Sequence, residues 1–307
     1  MKKVIFTIAG IPLCIKFKDN ECIPTSFRGF TNNSKKPHKQ IWHLESLGIE
    51  KTDFFSYAAC LKHKISFIKE RFHYSNLPLN DWQEKQKNLF YLYSRYPKLL
   101  PRISFYFNEP VEINPKERKL RHFYFKENVI NEPGIAYSRL ITFIYSQILA
   151  YMEGVLLHCA CVAKENVAYL FFAKAGGGKT TLTKLSKRYS VLGDDIIAIR
   201  KIENKFLAFA TPWRQNTFIR PKASLAVPIK AVFFLNKSRP LHFEPISPQE
   251  ALVRVLSQYI HFFLYTELPL AKRIFFRLAD FFKTIPAYEM YFRKDDNFWP
   301  ILDRIMK

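Results

Sequence analysis

The residues whose types and spacing can do chemistry are gathered in one stretch, residues 156–199. At its centre stand Ala175, Gly176, Gly177, Gly178, Lys179, Thr180 and Thr181. Glycines let successive backbone N–H groups turn toward one anion without Cβ clashes. The apolar run 167–172 precedes this turn and a helix start follows it. Strand, glycine turn, Lys-Thr and helix is the order that cradling a phosphate requires. A helix start adds unpaired N–H groups and the positive end of its dipole. In such a loop Lys179 reaches the β- and γ-phosphates of ATP, and the Thr180 hydroxyl holds Mg²⁺. Ala173 occupies the place of the first glycine in GxxxxGK[ST], and alanine is strained there if the position needs a positive φ.

Asp194 and Asp195 follow Lys179 by 15 and 16 residues, at the end of an apolar strand. That interval fits a helix and a return strand, which brings both carboxylates beside the loop. One carboxylate can support Mg²⁺ while the other accepts the proton of an attacking hydroxyl. Taken alone, Gly-Asp-Asp is a common turn. His158 lies in the strand before the loop strand, and with these neighbours it is expected at the site rather than in the core.

The 307 residues are 48% hydrophobic, enough for a sizeable core in one large or two modest domains. The formal charge of +22 divides evenly, +11 in residues 1–128 and +11 in residues 129–307. There is no basic tail, basic helix or recognisable nucleic-acid motif, so no nucleic-acid partner is expected, whereas an acidic peptide or protein substrate is compatible. Five unevenly spaced cysteines without a CxxC pair argue against a disulfide framework and for a reducing cytoplasm. Cys159 and Cys161, beside His158, superficially suggest a metal. In a strand both thiols share one face and no second ligand pair follows, so they are expected as buried small side chains. The apolar segment 140–152 is too short to span a bilayer. The apolar N-terminus is broken by Pro12 and lacks a small-residue cleavage site, which favours a strand pair turning at Gly10-Ile11-Pro12 over a signal peptide.

The elements around the site follow from periodicity. Leu140, Ile144, Ile148 and Met152 predict a helix from about Ala136, ended by Gly154. Residues 155–163 and 167–172 read as two strands, and 190–192 and 196–201 as two more, with Glu203-Asn204 a hairpin turn. Residues 231–236 read as a buried strand. Ser247-Pro248-Gln249-Glu250 is a helix start with a capping box. Helices are expected over 270–283 and 298–306, and a strand over 287–292. Toward the N-terminus, 57–72 reads as strand or helix, 82–93 as helix, 103–107 as strand and 108–121 as loop. A connector at 128–134 separates an N-terminal region, 1–128, from a second domain, 129–307.

Leu157-His158, the glycine loop and Gly193-Asp194-Asp195-Ile196 together resemble the C-terminal domain of HPr kinase/phosphorylase. They resemble more closely the shorter HPr-kinase-related proteins often found with peptide-modification systems. The similarity continues through Thr211-Pro212-Trp213-Arg214, Phe233-Phe234-Leu235, the 246–252 segment and Pro286-Ala287-Tyr288-Glu289, and so covers roughly residues 135–305. It implies an α/β fold shared with ATP-dependent phosphoenolpyruvate carboxykinases: a mixed sheet with flanking helices and a phosphate loop, preceded here by a small α+β region. It also implies ATP and Mg²⁺ as cofactors, and phosphorylation of a serine hydroxyl of a peptide or protein, for which a ribosomally made precursor peptide is one candidate. The resemblance gives Asp194 and Asp195 the base and the placing of phosphate and metal, with Thr180 and Asp195 at the metal. It puts His158 close by and Arg214 where it can stabilise phosphate charge. A homo-oligomer is compatible.

Relatives follow Thr-Pro-Trp with Gly-Glu, whereas Arg214 is followed by Gln215-Asn216, and an acidic group is lost. The long signature that accompanies phosphorylase activity is absent, so none is expected. Two other functions stay open on the sequence: a nucleotide-binding adaptor without chemistry, and a small-molecule kinase acting, for example, on a free amino acid.

Overall fold

In a computed structural model, the structure describes residues 2–17, 25–31, 41–49, 103–106, 109–125, 133–214, 225–237, 240–260, 268–294 and 297–306. The expectations for 57–72 and 82–93 lie outside these residues, as does Gln215-Asn216. The fold is mixed α/β, with two mixed sheets and, among the described residues, five α-helices.

Strands β1 (Lys2–Ile8), β2 (Ile11–Phe17), β3 (Trp42–Ile49), β4 (Ile103–Tyr106), β5 (Glu109–Asn114) and β6 (Lys119–Phe125) form a six-stranded sheet in the order β1-β2-β3-β6-β5-β4. The turn between β1 and β2 falls on Ala9 and Gly10, both at positive φ (52° and 73°), one residue earlier than the sequence suggests. Such a pair of left-handed residues makes the tight turn whose twist matches a hairpin. The loop expected over 108–121 is instead largely the β5–β6 hairpin, with Val111 opposite His122 and Asn114 opposite Lys119. Pro110 and Pro115 suggested a loop, but Pro115 lies in the hairpin turn and Pro110 in a strand, opposite Phe105 of β4.

The second sheet runs β10 (Ser190–Gly193), β8 (Ala160–Lys164), β9 (Val167–Phe172), β13 (Ala226–Lys237), β12 (Lys205–Phe209), β11 (Ile196–Ile202), β7 (Gly154–His158). Strand β15 (Ala287–Phe292) also pairs with β13, and β14 (His242–Ile246) with β15. The strand expected over 155–163 divides at Cys159: β7 pairs with β11, whereas β8 pairs with β9 and β10. One antiparallel register still runs from Arg200 opposite Gly154 through Ile196 opposite His158 to Gly193 opposite Cys161. Residues 154–161 and 193–200 are therefore a single ribbon, bent where Cys159 and Ala160 lie across from Asp195 and Asp194.

Helix α1 (Pro133–Tyr151) is buried on every side over 140–150, not on the one face that the periodicity suggests, because with almost no charged residues it packs into the core all round. Two of its buried hydroxyls bond within the helix, Thr142 to the Ser138 carbonyl (2.7 Å) and Ser146 to the Phe143 carbonyl (2.6 Å). Gly154 does not end this helix. Glu153 takes the left-handed conformation (φ 63°), and Gly154 begins β7, where a Cβ would lie 2.6 Å from the Ile199 carbonyl oxygen. Helices α2 (Lys179–Leu185), α3 (Pro248–Gln258), α4 (Leu268–Thr284) and α5 (Trp299–Ile305) complete the described elements. Ser247 caps α3, its hydroxyl accepting the Glu250 N–H at 3.2 Å. No helix among the described residues is long and apolar enough to cross a membrane.

Side chains alternate across β9 and β13, so two apolar layers form. Phe172 stacks on Phe234 (5.3 Å) in a layer that takes in α1, α3, α4 and the six-stranded sheet. Phe171 stacks on Phe233 (5.4 Å) in a second layer with Leu182 of α2 and Trp299 of α5.

Candidate active site

Strand β9 ends at Phe172, deep in the core, and the chain turns through residues 173–178 into α2. Gly176 and Gly178 adopt φ of 72° and 108°, a region that disfavours side chains. Gly177 has ordinary φ but no room: a Cβ there would come within 2.7 Å of the Ala173 Cβ. A Cβ on Gly178 would meet the Phe292 ring at 2.8 Å. Ala173 is not among the residues at positive φ, so this departure from the glycine pattern carries no backbone strain. Ala175 and Gly176 are exposed, and Thr180 and Thr181 half-buried. As at any helix start, the N–H groups of Lys179, Thr180 and Thr181 have no carbonyl of the same helix behind them.

Lys179 folds beneath this turn. It is 7% exposed, and its Nζ donates to the Ala173 carbonyl at 2.6 Å. Burial lowers its pKa, while Cys159, Asp195 and Asp194 act in the opposite sense. Cys159 is itself pushed well above the ordinary thiol range, chiefly by burial and then by Cys161. A neutral thiol contributes little, so the two carboxylates supply the charge that Lys179 feels.

Those carboxylates sit at the bend of the β7–β8 and β10–β11 ribbon. Asp194 is 1% exposed. Asp195 is partly open to solvent, and its carboxylate lies 3.2 Å from Nδ1 of His158. The backbone fixes both partners: the His158 N–H donates to the Tyr259 carbonyl (2.7 Å), and Thr211 donates to the carbonyl of Ile196, next to Asp195. The structure thus brings together Lys179, Asp194, Asp195 and His158. Arg214 is half-buried, three residues beyond Thr211 on the stretch anchored beside the bend. The glycines form the adjoining turn, and Thr180 and Thr181 lie in the first turn of α2.

Three contributors carry no mark in the sequence. Phe292 closes the space under Gly178. Tyr259 gives its carbonyl to His158 and sets its ring against Phe172, 5.1 Å away. Cys159, expected only as a small core residue, is buried and lies close enough to Lys179 and Asp195 to feel both charges. Each depends on a contact between elements distant in sequence.

Chemically, this is a glycine turn with a buried cation under it and a carboxylate pair beside it. The oxygen donors of Thr180 and Asp195 suit a hard divalent cation such as Mg²⁺. Among the described residues no group of three His, Cys, Asp or Glu side chains could hold a metal by itself. A Mg²⁺ bound mainly by phosphate oxygens, water and one or two protein oxygens needs no such group.

No curated protein matches the chain. Among solved structures, the HPr(Ser) kinase/phosphatase from Coxiella burnetii is similar at 10% identity, over 49% of this chain and 87% of that chain, with a TM-score of 0.28. A similarity at that level carries no argument about activity. The family model described as "SynChlorMet cassette protein ScmC" matches residues 133–307, which include both sides of the bent ribbon, the glycine turn and all five described helices. The chain belongs to the ScmC family.

Proposed function

We propose that the protein is a kinase that transfers the γ-phosphoryl group of ATP to a serine hydroxyl of a peptide or protein. The observation that carries this reading is the convergence of a buried lysine under a glycine turn with the Asp194–Asp195 and His158 cluster. Lys179 would exchange the Ala173 carbonyl for phosphate oxygens when nucleotide enters the turn. The N–H groups of residues 179–181 would take the remaining phosphate oxygens. Asp194, buried, keeps Lys179 charged. Asp195, more exposed and steadied by His158, is placed to accept the proton of an incoming hydroxyl. Arg214 is assigned to phosphate charge at the edge of the site. Mg²⁺, held mainly by the phosphates with the help of Thr180, would supply charge neutralisation on the phosphates.

A non-catalytic adaptor is suggested by Ala173 and by the acidic group lost after Arg214; the ordinary backbone at Ala173 removes the first motive, and the second is left to the transfer assay. The test is transfer of label from γ-labelled ATP with Mg²⁺ to serine-containing peptides, proteins and free amino acids. Label on a peptide or protein serine, lost in Asp195→Asn, is the expected result. Bound nucleotide with no transfer to any acceptor would overturn the kinase assignment. Transfer to free amino acids alone would establish the small-molecule alternative.

A further inference from the structure

Helix α4 buries Leu270, Ile274, Leu278 and Phe281 in the core. At 100° per residue, Lys272, Phe276 and Lys283 fall on its opposite side and Arg273 on its flank. Phe276 is 67% exposed and Phe275 41%, and their rings meet edge to face at 5.5 Å. Single exposed apolar residues are ordinary. Two touching aromatic rings ringed by basic side chains have the composition of an interface centre. Beside them lies a groove of about 400 Å³ lined by Glu153, Lys272, Arg273, Phe276 and Arg277.

Charge decides what fits. The nearby carboxylates are already engaged, Glu153 with Arg277 and Asp280 with Lys201 at 2.7 Å. Among the described residues Lys272, Arg273 and Lys283 have no carboxylate partner, so the surface around the rings is uncompensated positive. We propose that this face of α4 docks an acidic protein or peptide segment bearing apolar side chains. Its aromatic or aliphatic groups cover Phe276 and enter the groove, and its carboxylates meet Lys272 and Arg273. A membrane surface fits less well, because a helix lying in a bilayer needs its whole apolar face free. The apolar face of α4 is instead buried against the core.

The groove also lies within reach of the candidate site. Glu153 and His158 bracket β7, which at ~3.3 Å per residue separates them by roughly 17 Å. A segment held at α4 could therefore present a residue a few positions away to Asp195. That use rests on the kinase reading, whereas the docking surface itself does not.

The test is fluorescence anisotropy at physiological salt with a short synthetic peptide of Asp and Glu carrying two Phe. An all-acidic version and anionic phospholipid vesicles are measured in parallel. The expected result is binding of the acidic-aromatic peptide in preference to the all-acidic one. Phe276→Ser and Lys272→Glu/Arg273→Glu should each weaken it about tenfold. Reversal of two exposed lysines elsewhere, Lys116→Glu/Lys230→Glu, should leave it within about twofold. Thermal unfolding of each variant verifies folding, and the second pair of changes provides a test if Phe276→Ser fails to fold. Equal loss from the distant reversal would reduce the effect to net charge and overturn the proposal. Insensitivity to the α4 changes, or Phe276-dependent binding to vesicles without peptide binding, would overturn it as well.

Discussion

Lys179 is subject to opposing effects: burial favours its neutral form, while Asp195 and Asp194 favour the ammonium. Its pKa lies below the ordinary lysine value, so affinity for ATP should fall as pH rises through that lowered value. Asp194→Asn removes one of the two stabilising charges and should start the fall at lower pH, read from ATP titrations at increasing pH. An unchanged alkaline limb would show that Lys179 does not meet the phosphates. Lys164 provides the opposite case. Burial disfavours its charge, but the hydrogen bond and charge of Asp303 hold its pKa above the ordinary value. Stability from a raised lysine is fully present below the unfolded pKa and is lost as pH climbs through the folded one. Lys164→Met should therefore cost ~2 kcal/mol at neutral pH, with the difference from the native chain shrinking above about pH 10.5, by denaturant unfolding at each pH.

At the scale of elements, the glycine turn works only if β9, α2 and β15 keep their spacing. Gly176 and Gly178 separate backbone strain from packing. Both have positive φ, but a Cβ on Gly176 meets open space, whereas one on Gly178 strikes Phe292. Gly176→Ala should cost about 1 kcal/mol and leave ATP affinity within a few-fold. Gly178→Ala should cost about 2–4 kcal/mol and abolish binding, since either α2 or β15 must move. Equal effects in unfolding and binding assays would remove Phe292 from the account. Much of this was legible in the sequence: the apolar run before the turn, the three glycines, and the Ser247–Glu250 cap that starts α3. The break at Cys159 was not, because nothing local distinguishes one long strand from two that pair with different neighbours. Gly154 was misleading for the same reason. Its place is set by the Ile199 carbonyl on another strand, not by the helix it follows.

Across the whole molecule, one continuous apolar layer joins the six-stranded sheet to the second sheet through α1. Tyr145 lies within 3.0 Å of the Phe6 carbonyl and 3.2 Å of the Ile11 carbonyl, and Arg200 donates to the Ala9 carbonyl at 2.8 Å. Trp213 packs against both Phe27 and Tyr145, so the stretch carrying Arg214 leans on the helical turn over residues 25–30 and on α1. The connector at 128–134 suggested a boundary near residue 128 but gave no hint of the contacts made across it, which link residues more than 130 apart. With a shared core, unfolding should be a single transition by both fluorescence and circular dichroism. Tyr145→Phe should lower stability by about 1 kcal/mol without splitting it. Two separate transitions in the native chain would contradict a shared core.

The central claim is that the turn under which Lys179 lies receives the phosphates of ATP. Calorimetric titration of Mg²⁺-ATP into the native chain, Lys179→Ala and Asp194→Asn tests it most directly. The account predicts Mg²⁺-dependent binding by the native chain, binding lost in Lys179→Ala, and binding kept in Asp194→Asn at neutral pH. No binding by the native chain at about millimolar ATP, or undiminished binding by Lys179→Ala, would contradict it.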